Sequence, residues 1–281
     1  MNPASRTALA PSRYRVPTRT QEVFQVCFET TARAPLPPIA GGAGIAGSDH
    51  VVLEASDGNR FNAFSARATQ PDAPGIMILP DVRGLHPFYE DLATRFAEAG
   101  VHATVMDHFG RTAGLDERDA DFDFMAHVKQ MTVDGTGADT AATIEHIHSE
   151  AGGRAQRVYS VGFCMAGRLS FNQAASDHGL AGVIGFYGPP QERGPDDDSA
   201  PVRLAPNYRC PVLGLFGGAD ESIPRDAIDG FKRALDDTGV QSEMVVYDGA
   251  THSFFDRKFG EYREACDDAW LRMLRFIGTP A

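Results

Sequence analysis

Residues 157–167 read Arg-Val-Tyr-Ser-Val-Gly-Phe-Cys-Met-Ala-Gly, and this stretch decides the fold. An apolar run ends in Gly-x-Cys-x-Ala-Gly, and a helical pattern follows it. A reactive residue on a sharp turn from strand to helix needs small residues two positions to either side, because the tight backbone leaves no room for larger side chains. Gly162 and Ala166 meet that requirement, and Gly167 allows the helix to pack closely on the strand. The stretch predicts a strand–turn–helix unit that presents Cys164.

This arrangement also favours nucleophilic chemistry at Cys164. The helix that follows directs free N–H groups and the positive end of its dipole at the thiol, which stabilises the thiolate. The N–H of Met165 is then placed to stabilise an oxyanion. The alternative interpretation is a buried structural cysteine, because so short a pattern also occurs by chance.

A thiol nucleophile needs a base, and the base needs an acid that orients it. Asp220 follows the apolar run at 212–216, and His252 follows the run at 243–247, so both are predicted to lie just beyond strand ends. Asp220 could instead be a turn or N-cap residue. The chain order of nucleophile, acid and histidine is the order found in α/β-hydrolases.

The rest of the chain alternates short apolar runs with helical patterns, which predicts an α/β fold with a mostly parallel sheet and helices on both faces. The predicted strands are 51–53, 60–64, 75–79, 102–106, 157–161, 182–186, 212–216 and 243–247, the first two forming a hairpin. The predicted helices are 89–99, 137–150, 166–176, 225–238 and 262–276. Residues 1–45 are interpreted as an N-terminal extension, ending in a Pro- and Gly-rich linker across residues 34–48, and residues 46–281 as one hydrolase domain.

Composition narrows the function classes. The formal net charge of −12 over 281 residues argues against nucleic acid or an anionic membrane surface as a partner. No apolar run is long enough to span a bilayer. Four scattered cysteines without a CxxC pair suit a reducing compartment, so we expect a cytoplasmic protein in which Cys27, Cys210 and Cys266 are small buried hydrophobes. No histidine pattern has zinc-ligand spacing, and no cofactor is implied. The oligomeric state is left open.

Together these residues resemble the dienelactone hydrolase family, over roughly residues 51–276 of the chain. Members are similar in having G-[YF]-C-x-[GA]-G, matched by residues 162–167, and G-x-x-D-x-x-[VI]-P, matched by residues 217–224. They also have G-x-[GT]-H-[SAG]-F, matched by residues 249–254. The resemblance implies an α/β-hydrolase fold with Cys164, Asp220 and His252 as the catalytic triad.

The resemblance also implies roles for a segment after the third predicted strand. Asp81 is expected to help deprotonate Cys164, although the family usually has glutamate there, and the Val82 N–H is expected to be the second oxyanion donor.

The family's best-known activity opens dienelactone, an enol lactone bearing a carboxylate, to maleylacetate in aromatic degradation, and arginines bind that carboxylate. Arg118 resembles one of them, and Phe122 stands where a tyrosine is expected. The second arginine is expected four residues after the histidine, where this chain has Asp256 followed by Arg257. Arg83 and Arg111 are further basic candidates.

The sequence therefore predicts a carboxylic ester hydrolase of the carboxymethylenebutenolidase type, acting on a small ester or enol lactone. The nearest alternative is a broad carboxylesterase or thioesterase on the same fold. A glutamine amidotransferase would need a His-x-Glu pair, and Phe254 stands where that glutamate would be. A non-enzymatic redox sensor would use Cys164 alone and leave Asp220 and His252 without a role.

Overall fold

A computed structural model of the chain describes residues 33–39, 42, 44–116, 118 and 122–279. Within these residues eight strands form a sheet in the order β1-β2-β4-β3-β5-β6-β7-β8. The strands are β1 (Ile45–Glu54), β2 (Arg60–Ala68), β3 (Gly75–Leu79), β4 (His102–Met106), β5 (Val158–Phe163), β6 (Gly182–Phe186), β7 (Val212–Gly217) and β8 (Ser242–Tyr247). The β1–β2 and β2–β4 pairs are antiparallel and the other neighbouring pairs are parallel. The predicted mostly parallel α/β sheet is confirmed.

Helices cover both faces of this sheet. They are α1 (Pro87–Glu98), α2 (Gly110–Ala113), α3 (Phe124–Val128), α4 (Val133–His148), α5 (Met165–Gln173), α6 (Pro201–Leu204), α7 (Arg225–Thr238) and α8 (Arg263–Ile277). The rings of Phe96 and Trp270 meet 4.8 Å apart between α1 and α8, and those of Phe171 and Phe231 meet 5.2 Å apart between α5 and α7. None of the described helices combines the length and the apolarity needed to cross a lipid bilayer.

The structure corrects the predicted boundaries in three places. Strand β1 begins at Ile45, inside the run predicted to be irregular, because it pairs with the whole length of β2 and composition does not reveal that pairing. Helix α4 begins at Val133, where the Thr132 hydroxyl accepts a hydrogen bond from the Gly135 N–H at 3.1 Å and caps the helix. The short helices α2, α3 and α6 were not predicted, since four or five residues carry too little periodicity to be recognised.

Most of the predicted N-terminal extension lies outside the described residues. The longest described part of this extension, residues 33–39, packs against α1 and α8. The Ala34 N–H donates to the Asp91 carboxylate at 3.1 Å, and the Trp270 indole N–H donates to the Pro35 carbonyl at 2.9 Å. The domain boundary at residue 45 stays a prediction.

The strand register positions the candidate site. Leu79 of β3 pairs with Gly162 of β5, so Val82 and Met165 each lie three residues beyond paired positions on neighbouring strands. Phe163 pairs with Phe186 of β6 and is followed directly by Cys164. The carboxyl ends of parallel strands share one edge of a sheet, so these groups converge there.

Candidate active site

Cys164 lies on a strained turn between β5 and α5. Its backbone has φ 57° and ψ −120°, a conformation that residues other than glycine rarely adopt. A Cβ on Gly162 would lie 1.9 Å from the Ala166 carbonyl oxygen, and one on Gly167 would lie 2.5 Å from that of Phe186. The turn is held in place by the Cys164 N–H, which donates to the Phe186 carbonyl at 3.0 Å. The small residues in the motif are therefore required by close backbone contacts.

Cys164 differs from the other described cysteines in its exposure. Cys210 and Cys266 are buried, and burial raises the pKa of their thiols to about 11 and about 12. The Cys266 thiol donates to the Phe254 carbonyl at 3.4 Å. Cys164 is partly exposed at the sheet edge. The prediction that Cys210 and Cys266 are buried hydrophobes is confirmed, and Cys27 lies outside the described residues.

Asp220 and His252 form a close pair on neighbouring loops. The Asp220 Oδ2 atom lies 2.6 Å from Nδ1 of His252. Its other oxygen, Oδ1, accepts hydrogen bonds from the Ser222 N–H at 3.0 Å and the Ser222 hydroxyl at 2.6 Å. Burial alone would raise the pKa of Asp220, but these hydrogen bonds and the charge of His252 hold it below its usual value. Asp220 is therefore an ionised partner that fixes the imidazole ring.

Backbone hydrogen bonds join the loops that carry this pair. The Gly218 N–H donates to the Tyr247 carbonyl at 2.7 Å, and the Ala219 N–H donates to the Ala250 carbonyl at 2.9 Å. A Cβ on Gly217 would lie 2.5 Å from that same Ala250 oxygen. The glycine-rich segment before Asp220 thus lets the two loops touch, and their contact fixes the Asp220–His252 distance.

His252 faces Cys164 through its second nitrogen. The buried Nε2 atom makes no well-aligned hydrogen bond to a described residue, but Cys164 lies close enough for a thiolate there to act on the ring. Burial opposes protonation, yet the charge of Cys164 and the hydrogen bond that Nδ1–H donates to Asp220 outweigh it and raise the pKa of His252 to about 10. The Tyr187 ring packs on the imidazole with centroids 4.8 Å apart. Long catalytic hydrogen bonds are common before substrate binds, so this geometry suits a base and its nucleophile.

We expect His252 to remain protonated through neutral pH and to lose its proton near pH 10, because its pKa is raised from 6.5 to about 10. A raised pKa means that the ion pair stabilises the fold fully below about pH 6.5 and that this contribution is lost as the pH rises toward 10. Titration of the imidazole by nuclear magnetic resonance measures the pKa directly. In Cys164→Ala it should fall, since the charge of the thiolate is gone. Titration of the wild-type ring near 6.5 would contradict the pairing.

Two backbone N–H groups are available where the oxyanion donors were predicted. Among the described residues, the N–H groups of Val82 and Met165 donate to no protein acceptor. Met165 opens helix α5, whose first N–H groups have no partner within the helix. Val82 is buried in the loop after β3, at the position equivalent in register to Met165. Their role as an oxyanion hole stays a prediction that this arrangement supports.

Asp81 is bound to Arg83. The Arg83 Nε atom lies 3.0 Å from both Asp81 carboxylate oxygens, and its Nη2 lies 2.6 Å from Oδ2. The same Nη2 also contacts the Asp256 carboxylate. Burial favours the protonated form of Asp81, but the charge of Arg83 outweighs it and holds the pKa of Asp81 below its usual value. Asp81 is therefore a weak base while this pair is closed.

Arg118 and Phe122, predicted to bind substrate, lie next to each other. The Arg118 guanidinium is centred 5.2 Å from the Phe122 ring centroid and 5.9 Å from that of Phe109. Its Nη2 atom lies 2.5 Å from the buried Asp107 carboxylate. The charge of Arg118 is thus already balanced by a protein carboxylate, and its role in substrate binding stays a prediction.

The other two arginines differ in their surroundings. Arg111 is held by Asp139 of helix α4 at 2.8 Å and by Asp57 of the turn between β1 and β2 at 2.6 Å. Within the described part of the chain, no hydrogen bond or ion pair joins it to the triad. Arg257 is half-buried near Asp256, and its Nε and Nη2 atoms make no hydrogen bond. Among these candidates, Arg257 alone has two nitrogens without a hydrogen bond and no ion pair within 4 Å to any residue that the structure describes.

Three residues near the triad were not assigned a site role from the sequence. Tyr187 directly follows β6, has φ 37° and packs against His252 with the ring planes tilted by 53°. Its position one residue after the end of a predicted strand could have indicated that it lies at the same edge of the sheet as the triad. Ser222 lies two residues after Asp220 and donates two hydrogen bonds to it, and this short spacing in the sequence could have identified it. Asp256 was recognised as a departure from the family pattern, but its partner Arg83 comes from a loop 173 residues away.

Buried histidines near the loop after β3 are neutral. Burial lowers the pKa of His86 to about 4 and that of His108 to about 3. The His86 Nδ1 atom accepts a hydrogen bond from the Phe88 N–H at 3.3 Å and caps α1. Within the described part of the chain no group of three His, Cys, Asp or Glu side chains is arranged to hold a metal ion.

Comparison with known proteins agrees with this fold and site. The model of the "Dienelactone hydrolase family" matches residues 61–280, which is most of the chain. The chain belongs to the dienelactone hydrolase family. Its family resemblance inferred from the elbow and the histidine segment is confirmed.

Individual family relatives are distant in sequence. The Escherichia coli (strain K12) protein named "Putative carboxymethylenebutenolidase" is 28% identical over 230 residues, covering 79% of this chain and 83% of that protein. A protein of the same name from Salmonella typhimurium is 29% identical over 230 residues, with 79% and 84% covered. The crystal structure of a "Putative Dienelactone Hydrolase" from Klebsiella pneumoniae has a TM-score of 0.68 and 28% identity, covering 83% of this chain and all of that one. This chain is thus a hydrolase of the family, with a small molecule as its substrate.

Proposed function

We propose that this protein hydrolyses small esters and enol lactones, in the manner of carboxymethylenebutenolidases, through a covalent thioester at Cys164. The observation that carries the proposal is the pairing of a strained elbow cysteine with His252, whose other nitrogen lies 2.6 Å from Asp220. Nucleophile, base and orienting acid in this sequence of contacts are the parts that covalent acyl transfer requires. The names of the relatives support the same reaction class.

In the first half of the reaction the Cys164 thiolate attacks the carbonyl carbon of the substrate. The new C–S bond pushes the carbonyl electrons onto oxygen, where the N–H groups of Val82 and Met165 stabilise the negative charge. Collapse of this intermediate breaks the ring C–O bond. The departing enolate takes a proton from the His252 imidazolium, which the raised pKa keeps available at neutral pH. A thioester and a neutral imidazole remain.

In the second half neutral His252 takes a proton from water, and the resulting hydroxide attacks the thioester carbonyl. The C–S bond breaks, the carboxylic acid product leaves, and the thiolate–imidazolium pair is restored. Asp220 accepts a hydrogen bond from Nδ1 throughout and keeps Nε2 directed at the reacting atoms.

Asp81 has a conditional role in this proposal. It can take a proton from Cys164 only when Arg83 releases it, because the closed pair lowers the pKa of its carboxyl. We therefore propose Asp81 as an assisting base that takes the proton from Cys164 molecules still in the thiol form when substrate enters, and His252 as the partner that stabilises the thiolate once it has formed.

The choice of substrate follows from the leaving group. A thiolate is itself easily expelled from a tetrahedral intermediate, so it succeeds only when the other group leaves at least as readily. An enolate or an activated alcohol meets that condition, and an amine does not. The site is therefore better suited to enol lactones and activated esters than to peptides.

A broad carboxylesterase or thioesterase is the second candidate. It is favoured by the ion pairs of Arg83 and Arg118, since these charges are already balanced by Asp81, Asp256 and Asp107. A substrate without a carboxylate would leave these pairs undisturbed.

A cytoplasmic location is proposed on chemical grounds. A partly exposed nucleophilic thiol is inactivated by oxidation, and a reducing compartment protects it.

Hydrolysis of cis-dienelactone, p-nitrophenyl acetate and p-nitroacetanilide by the wild-type protein tests the reaction class. We expect kcat/KM for the ester and lactone to exceed that for the amide by about 10³-fold or more, since the amine is the poorer leaving group. Spectrophotometric rates give the ratios. Amide hydrolysis at a comparable rate would contradict the proposed chemistry, and ester turnover without lactone turnover would favour the carboxylesterase.

A further inference from the structure

One guanidinium beside the candidate site lies between two buried carboxylates; we call these three residues the Asp81–Arg83–Asp256 cluster. Arg83 binds both oxygens of Asp81 through Nε at 3.0 Å, and its Nη2 contacts Asp81 and Asp256 together. The exposed fractions of the three side chains are 8% for Arg83, 3% for Asp81 and 2% for Asp256. The Nε and Nη2 donors of Arg83 are therefore used within the protein, and Nη1 is its one nitrogen without a hydrogen-bond partner among the described residues.

This cluster borders the place where the acyl part of a substrate must lie. Asp81 and Arg83 flank Val82, whose N–H is the proposed oxyanion donor. Asp256 follows His252 by four residues, so their Cα atoms are at most about 14 Å apart. The Tyr187 phenol, which packs against His252, is within electrostatic range of Cys164 and of all three members of the cluster.

The charges around this place are unfavourable to another anion. With both carboxylates ionised, the cluster carries two negative charges against one positive charge. The pKa of Asp81 is lowered and that of Asp256 is raised to about 6, so both are mostly ionised above that pH. Arg118 is balanced by Asp107 in the same way. In a buried setting, where charges are weakly screened, a substrate carboxylate at Arg83 would meet repulsion from Asp256.

We propose that Asp256 determines substrate specificity by occupying the position on Arg83 that a substrate carboxylate would need. The site then prefers esters and lactones whose acyl part is uncharged. This inference rests on the proposed ester and lactone hydrolysis and narrows its substrate class. Asp256 acts through Arg83, so its effect depends on the charge of the substrate and not on the chemical steps.

Binding of a substrate carboxylate by Arg257 is the alternative to the preference for uncharged substrates. Its Nε and Nη2 atoms are buried without a hydrogen-bond partner, and it lies near Asp256. If Arg257 bound a substrate carboxylate, the wild-type protein would favour charged substrates.

Two lactones that differ only in the carboxylate test the proposal: cis-dienelactone and the uncharged methylidene butenolide with the same ring. Their kcat/KM values are compared in the wild type, in Asp256→Asn and in Asp139→Asn. Asp139 is a matched control, because it too shares one arginine, Arg111, with a second carboxylate, Asp57. Calorimetric binding of both lactones to Cys164→Ala and to Cys164→Ala/Asp256→Asn gives the same comparison without turnover.

We expect the wild type to favour the uncharged lactone by about tenfold or more, and Asp256→Asn to shift the ratio toward the charged lactone by about tenfold, mainly through KM. Asp139→Asn should leave the ratio unchanged. A merely structural effect of Asp256→Asn would lower both rates together and leave the ratio as it was. Wild-type preference for the charged lactone, or a ratio unmoved by Asp256→Asn, would overturn the proposal. Absence of turnover with a binding preference for the uncharged lactone would support it while contradicting the proposed catalysis.

Discussion

Cys164→Ala is expected to lower kcat/KM for p-nitrophenyl acetate and for enol lactones by about 10³-fold or more, because no other described side chain is placed to form the acyl-enzyme. The fold should survive, since the turn geometry at residue 164 is set by Gly162 and Gly167 rather than by the thiol. Alanine at a strained positive φ tests this, and circular dichroism with thermal unfolding checks it.

Cys210→Ala is the matched control for this variant. Cys210 is buried away from the turn, and removal of its sulfur should affect stability rather than rate. We expect a loss of about 1 kcal/mol in the free energy of unfolding with kcat/KM within about twofold of the wild type. Full activity in Cys164→Ala would contradict the proposed mechanism, whatever the result for Cys210→Ala.

His252→Ala is expected to reduce kcat by about 10²–10⁴-fold, since the general base for thioester hydrolysis is lost. An activated ester should still acylate Cys164 slowly, so stopped-flow traces should show a burst of p-nitrophenolate followed by a much slower phase. The burst amplitude measures the fraction of enzyme that is acylated.

His50→Ala controls for the loss of an imidazole at the surface. The His50 side chain is 68% exposed on β1, and its contact with Glu90 is long, at 3.9 Å. Its removal should leave both phases unchanged. A steady state without a burst, at the wild-type rate, would show that His252 does not serve the second half of the reaction.

The sequence predicted the elements that carry periodic signals. The elbow at residues 162–167 could be predicted because close backbone contacts permit only small residues there. The structure shows those contacts at Gly162 and Gly167. The strands before Asp220 and before His252 were also predicted, because each is a run of apolar residues. Their convergence followed from parallel strands ending at one edge of the sheet.

Contacts between distant loops could not be read in the same way. The pairing of Arg83 with Asp256 depends on the loop after His252 reaching the loop after β3, and no local pattern encodes that distance. The partners of Arg111 and Arg118 were hidden for the same reason, because a charged residue in a sequence does not reveal which opposite charge it will meet. The charge balance of the site could therefore not be predicted from the sequence and was found only in the structure.

The position of Tyr187 illustrates a third case. Its place after β6 was predictable, but its positive φ and its contact with the His252 ring, at 4.8 Å between centroids, were not. Propensity alone disfavours such a backbone for tyrosine, and tertiary packing overrides it.

Mapping the acyl group on the enzyme tests directly whether Cys164 is the nucleophile. Wild type and His252→Ala are mixed with p-nitrophenyl acetate and quenched in acid, and the acetylated peptide is identified by mass spectrometry. We expect one acetyl group, carried by Cys164 and longer-lived in the His252 variant. An acetyl group on another residue, or hydrolysis in both proteins with no acetyl group on Cys164 at any time, would contradict it.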